Sequence, residues 1–224
     1  MLTLALETST RLGSIALGEG PRLLAESALS VRATHSETVL EEVDRLLSRA
    51  GAGASDLEAV VVGSGPGSFT GVRIAAALAK GLCYARDLPL YAFSSLRALA
   101  ASVGRAPVCA LFDARRDEVY AAAYRHSPLG EADPDPSVLP LGRLLDALAP
   151  VEGWAFVGEG ALRHADMIEA RGGEVLPAHL GVPRAAALLW LASELPDGRV
   201  GDRMSWEPDY VRASGAERGV GRGG

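Results

Sequence analysis

The chain has little of the material from which metal or disulfide sites are made. Only 2 cysteines and 4 histidines occur among its 224 residues. Cys83 and Cys109 sit in apolar contexts without C-x-x-C spacing, so they read as buried free thiols of a reducing compartment. His126, His164 and His179 are scattered, and nothing signals a Ser-His-Asp triad. His35 begins a helical segment, His-Ser-Glu-Thr-Val, in which the residue four positions on is Val39, and one histidine makes a poor metal site. Long apolar runs are also missing: none approaches the roughly 20 residues of a membrane span. Met1-Leu2-Thr3-Leu4-Ala5-Leu6-Glu7 lacks a basic stretch and reaches a carboxylate too early for a signal peptide. Positive charge is in deficit, at a net −6. Phosphate neutralisation dominates nucleic-acid affinity, so the chain alone should bind RNA poorly, and any role in RNA chemistry would run through a partner. These absences lead us to expect a cytoplasmic protein with no membrane contact, no metal and no cofactor.

A globular core is well supplied. Hydrophobic residues make up 48% and charged residues of mixed sign 22%, which excludes a disordered chain. Leu2–Leu6, Ser14–Leu17 and Leu23–Leu29 read as strands, with the polar turn Glu7-Thr8-Ser9-Thr10-Arg11 after the first. Residues 35–50 carry Val39, Leu40, Val43, Leu46, Leu47 and Ala50 at helical spacing. A strand over 59–62, a Gly-rich loop over 63–71, a helix over 72–86 and a short helix capped by Ser94 or Ser95 complete the first half. The second half runs in the same order. It has a strand over 108–112, the turn Asp113-Ala114-Arg115-Arg116-Asp117, a strand over 118–124, a helix over 141–148 and a strand over 154–157. Helices over 161–170 and 185–194 follow. Glu7 and Asp113 end matching strands, and Val62-Gly63-Ser64-Gly65 is matched by Val157-Gly158-Glu159-Gly160, each about 100 residues later. The expectation is an α/β fold of two duplicated lobes, each a mixed sheet flanked by helices. The lobes span 1–104 and 105–212, with a Gly/Arg-rich tail over 213–224.

Gly63-Ser64-Gly65-Pro66-Gly67-Ser68-Phe69-Thr70-Gly71-Val72-Arg73 is the densest motif. It is no Walker A loop, because Val72-Arg73 stand where Lys-Ser/Thr would close it. It is neither G-x-G-x-x-G nor a G-x-S-x-G elbow. Gly65, Pro66, Gly67, Ser68, Phe69, Thr70 and Gly71 therefore read as a structural loop that fixes the entry of the next helix. That helix, with Val72, Ala76, Lys80 and Cys83, is apolar nearly all round, which fits either a core helix or one covered partly by another chain. Glu7-Thr8 and Asp113 with Arg115 occupy the places where phosphate-binding hairpins occur in actin-like ATPases. Neither turn contains glycine, so backbone amides cannot close easily around phosphate. Nucleotide hydrolysis is disfavoured on that ground.

At these residues the chain resembles a known family. Leu4-Ala5-Leu6-Glu7-Thr8-Ser9, His35-Ser36-Glu37, Gly65 to Arg73, Asp113 to Tyr120 and Glu207-Pro208-Asp209-Tyr210-Val211-Arg212 are similar, in order, to the TsaB (YeaZ) family. Glu7 is a departure, since Asp is commoner there. The resemblance implies a two-lobed actin/hexokinase-like (ASKHA, ribonuclease H-like) fold and a catalytically degenerate subunit. Its partner would be the paralogue TsaD, which carries the metal, the His-x-x-x-His motif and the transferase chemistry. TsaD moves threonylcarbamoyl to the adenosine 3′ of the anticodon in tRNAs reading ANN codons, and the ATPase TsaE joins the complex. Self-association through the same helical surface is also implied, with tRNA met only through the complex. The residues expected at that surface are His35, Val39, Glu42 and Leu46 on one helix and Val72, Arg73, Ala76, Lys80 and Cys83 on the next. The alternatives are an actin-like small-molecule kinase or ATPase and, given the family's older description as a glycoprotease homologue, a peptidase.

Overall fold

The computed structural model describes residues 1–30 and 36–209. His35, Tyr210, Val211, Arg212 and the Gly/Arg tail lie outside the described residues. The first half contains β1 (Leu2–Glu7), β2 (Leu12–Glu19), β3 (Arg22–Ser30), α1 (Ser36–Arg49), β4 (Ala59–Gly63), α2 (Phe69–Arg86), β5 (Leu90–Phe93) and α3 (Ser95–Val103). The second contains β6 (Val108–Arg115), β7 (Glu118–Tyr124), β8 (Ser137–Pro140), α4 (Leu141–Ala147), β9 (Ala155–Val157), α5 (Glu159–Arg163), α6 (Ala165–Glu169), β10 (Glu174–Val175) and α7 (Ala185–Glu194).

Two five-stranded mixed sheets result, ordered β3-β2-β1-β4-β5 and β10-β9-β6-β7-β8. Reversing the second order aligns β6 with β1, β7 with β2 and β9 with β4. The pairing senses correspond as well. β1–β2 and β6–β7 are antiparallel, while β1–β4 and β6–β9 are parallel. The repeated landmarks in the sequence are thus two copies of one topology, the α/β actin-like arrangement.

Strand periodicity assigns the core. On one face of the first sheet Leu4, Leu6, Ile15, Leu17, Val60 and Val62 pack under α1 and α2. On the other, Ala5, Ala16 and Val61 meet α7. The small residues let α7 approach closely: a Cβ at Gly18 would stand 2.7 Å from Leu189 Cδ1. Both faces are covered, so β4 is buried at every position, as its unbroken apolar run requires. In the second sheet, Cys109 and Leu111 face α4 whereas Ala110 and Phe112 face α3. The helices therefore cross the midpoint of the chain: α3 packs on the second sheet and α7 returns to the first.

Several boundaries differ from the sequence reading. β5, β8 and β10 were not anticipated, being only 4, 4 and 2 residues long. The helix expected over 161–170 is two, because the chain leaves helical angles at His164 (φ −114, ψ 26).

The N-terminus of α7 has no side-chain cap of its own. Residues from the first sheet supply it. Ser14 Oγ accepts from Ala185 N at 3.0 Å, and Glu26 Oε1 accepts from Ala186 N at 3.3 Å and from Ser14 Oγ at 2.8 Å. Glu26 also pairs with Arg184. Glu26→Ala should lower unfolding stability by about 2 kcal/mol, because it leaves amide and guanidinium donors unpaired at a largely buried carboxylate site. Urea unfolding checks this, and a loss below about 0.5 kcal/mol, the range of ordinary surface substitutions, would contradict the capping role.

Candidate functional site

Glu7 ends β1 at the place where the two-lobed fold would present a phosphate hairpin, and it is completely buried. Its carboxylate accepts from Ser9 N at 2.7 Å and from Ser95 Oγ at 2.9 Å. Ser95 Oγ in turn accepts from Gly65 N at 3.2 Å, and Ser95 N donates to Gly65 O at 2.7 Å. The β1–β2 turn is clasped by the Gly-rich loop. Ser68 N donates to Ser9 O at 2.6 Å, and Thr8 Oγ1 donates to Gly71 O at 2.6 Å. Side chains would not fit between them. A Cβ at Gly63 would overlap the Glu7 carboxylate, and one at Gly71 would overlap Thr8 O. The loop ends by capping α2, with Ser68 Oγ accepting from Gly71 N. The glycines serve close backbone contact within the chain.

In the second lobe, Asp113 Oδ1 accepts from Arg115 N at 2.9 Å, and Oδ2 accepts from Arg163 Nη1 at 2.6 Å. Arg115, Arg116 and Asp117 turn the hairpin with φ of 65°, 55° and 60°, left-handed angles that non-glycine residues adopt at a cost of roughly 1 kcal/mol or more each. One equivalent carboxylate is therefore sealed in the core and the other is engaged by a guanidinium. Among the described residues, no three His, Cys, Asp or Glu side chains are grouped to hold a metal ion.

The expected interface positions divide. Val39, Leu46, Val72, Ala76 and Cys83 are at most 5% exposed, and they belong to the chain's own core. They are corrected from partner-facing to core residues, because the apolar stripe that defines each helix is the one facing the sheet. Lys80 is engaged within the chain: its Nζ donates to Trp206 O at 2.8 Å and to Glu207 Oε1 at 3.1 Å. Glu42 pairs with Arg45 at 3.0 Å, and a hydrogen bond from the Ser27 side chain is the main cause holding its carboxyl below the usual range. Arg73 faces outward, its guanidinium 3.8 Å over the Phe69 ring.

The outward face of the two helices is made of other residues. Leu40, Phe69, Arg73, Ile74, Ala77 and Leu78 line a groove of about 550 Å³ between α1 and α2. Leu40 is 44% exposed, Phe69 40% and Tyr84, further along α2, 70%. A Cβ at Gly81 would meet nothing within 4 Å, so the ridge of α2 is bare there. Sequence reasoning missed this face because α2 is apolar all round and its phase is hidden. On α1 the signal was faint: Leu40 stands at the edge of the apolar stripe, about 20° from Leu47 and about 100° from Val39.

Burial raises the Glu7 carboxyl above its usual value, against hydrogen bonds from Ser9 and Ser95 that lower it. The folded state then holds the proton more tightly than the unfolded chain. The stability from this group is complete below the ordinary glutamate range and is lost as pH rises through the raised value. Glu7→Gln is neutral throughout, so its stability relative to wild type should improve between about pH 4 and about pH 8. Urea midpoints across that range test the sign; a relative decline would refute it.

Comparison with known proteins bears on this geometry. A family model described as TsaD, tRNA N6-adenosine threonylcarbamoyltransferase, matches residues 23–153. The chain is 35% identical to the tRNA threonylcarbamoyladenosine biosynthesis protein TsaB of Bacillus subtilis (strain 168), over 97% of this chain and 96% of that one. It is 32% identical to the TsaB protein of Escherichia coli (strain K12), over 95% of each. The solved structure of YeaZ from Pseudomonas aeruginosa superposes with a TM-score of 0.78 at 32% identity, covering 93% of this chain and 99% of that one.

Proposed function

The chain belongs to the TsaB (YeaZ) family of tRNA threonylcarbamoyladenosine biosynthesis proteins, and we propose that it works in that pathway as a non-catalytic subunit that binds and activates a TsaD-like transferase. The observation that carries the reading is the contrast between its two candidate surfaces. The position of the phosphate hairpin is closed by the Glu7 clasp, whereas the α1–α2 groove is open and apolar. A surface helix pair with Leu40, Phe69 and Tyr84 outward is the kind that a second protein covers.

In this reading the transferase, the chain's paralogue, carries the metal and moves threonylcarbamoyl to the adenosine 3′ of the anticodon in tRNAs reading ANN codons. A TsaE-like ATPase joins the pair. A second copy of the chain competes for the same groove when the transferase is absent. The net charge of −6 supports contact with tRNA through the complex. No helix among the described residues is long and apolar enough to cross a membrane, and work on tRNA fits the cytoplasm.

Light scattering after size-exclusion chromatography of the chain mixed with the TsaD protein of the same source should give a heterodimer. tRNA modification should then require both proteins. Separate migration, with modification unaffected by the chain, would refute the reading. Tight ATP binding by the isolated chain would favour the actin-like kinase instead, and about one zinc per chain would favour the peptidase.

The corrected surface makes its own prediction. Ala77→Glu, on the exposed ridge, should weaken heterodimerisation at least about 100-fold in titration calorimetry while leaving the urea midpoint near wild type. Ala76→Arg, one position away and buried, should unfold the chain instead.

A further inference from the structure

Residues 199–209 run along the outside of the first lobe, away from the clasp until their last residue. Arg199 bridges Tyr91 on the outer edge of β5, and Val200 N donates to Leu90 O at 2.8 Å. Arg203 Nη1 donates to Leu88 O at 2.9 Å, and the guanidinium pairs with Asp87. Lys80 Nζ holds Trp206 O and Glu207 from α2. At the far end Asp209 N donates to Ser64 O at 2.9 Å and Ser64 Oγ donates to Asp209 Oδ2 at 2.6 Å. Val200 and Trp206, both only partly buried on the core beneath, and the buried Pro208 are the apolar anchors. Solvent-facing ion pairs contribute little each, and a segment with so few buried apolar contacts belongs to the low-stability end of a fold.

Helical geometry places this segment beside the groove. At 100° per residue, Lys80 stands on one flank of the Ala77 ridge, whereas Ile74 and Leu78 stand on the flank toward α1. A protein seated on α2 would thus have α1 on one side and residues 206–207 on the other.

We propose that residues 199–209 are a strap that opens as a unit while the rest of the chain stays folded, that Lys80 is its lock, and that the closed strap forms the second wall of the α2 partner face. The partner clause rests on the functional reading given above. Closed, the strap covers the β5 edge and completes the face; open, it frees Ser64, Lys80 and Leu90. A bound transferase holds it shut.

The two cysteines supply the test. Cys83 lies beneath this region, fully buried, with Sγ 3.8 Å from Pro89 O and its thiol pushed up to about 11 by burial, an effect that nearby Arg203 partly offsets. Cys109 is fully buried in the core of the second lobe. Iodoacetamide alkylation of the intact chain, followed peptide by peptide, should label Cys83 at least about 10-fold faster than Cys109. Lys80→Met should raise the Cys83 rate about 10-fold and leave Cys109 unchanged, and Ser64→Ala should act in the same direction. Saturating TsaD-like transferase should slow Cys83 by a similar factor. Equal rates for both thiols in the wild-type chain, or a Cys83 rate that neither variant moves, would overturn the strap. A transferase that binds and leaves the Cys83 rate unchanged would overturn its place in the partner face. A transferase that does not bind would refute the functional reading, while the two thiol rates still decide whether the strap opens.

Discussion

The buried Glu7 carboxyl is the point at which three segments of the first lobe meet. It accepts from the Ser9 amide within its own turn and from the Ser95 hydroxyl at the start of α3. Ser95 also ties to both backbone polar groups of Gly65. A buried carboxyl without donors would be strongly destabilising, so the turn, the Gly-rich loop and α3 must arrive together. The direction in which α2 leaves the sheet follows from this contact, since Ser68 both binds Ser9 O and caps the helix. The groove between α1 and α2, and the course of the C-terminal segment that reaches Ser64, are set by the same junction.

That constraint also explains how one topology holds two turns of opposite character. In the first lobe the glycines let the loop press on the β1–β2 turn until no space remains. In the second, Arg163 reaches Asp113 across the mouth of a hairpin built from three left-handed residues. The two sheets share one strand order, while neither turn holds a glycine. What the chain offers outward instead is a helix pair with apolar residues on its solvent side.

Much of the architecture was legible beforehand for plain physical reasons. Glu118–Tyr124 and Ala185–Glu194 match the reading because each is an apolar run bounded by polar or turn residues, a signal written locally in side-chain polarity. The Glu7/Asp113 correspondence marked the duplication that the two strand orders display. β5 and β10 were missed because segments so short carry too few alternations to stand out. Several positions expected on a partner surface fall in the core for a different reason. Val39, Val72 and Ala76 are apolar residues at helical spacing, and apolar spacing by itself points to whichever surface is larger, which here is the sheet.

The sequence by itself determined the α/β class, the two repeated units and the motifs that mark the family. All of these depend on residues adjacent in the chain or on local periodicity. The tertiary structure alone decided that Glu7 is sealed, that Glu26 caps a helix through an amide 160 residues away in sequence, that Lys80 serves the C-terminal segment, and which side of α2 is bare. Each depends on which distant groups share a space. A burial or a hydrogen bond between remote residues becomes definite only when the chain has closed on itself.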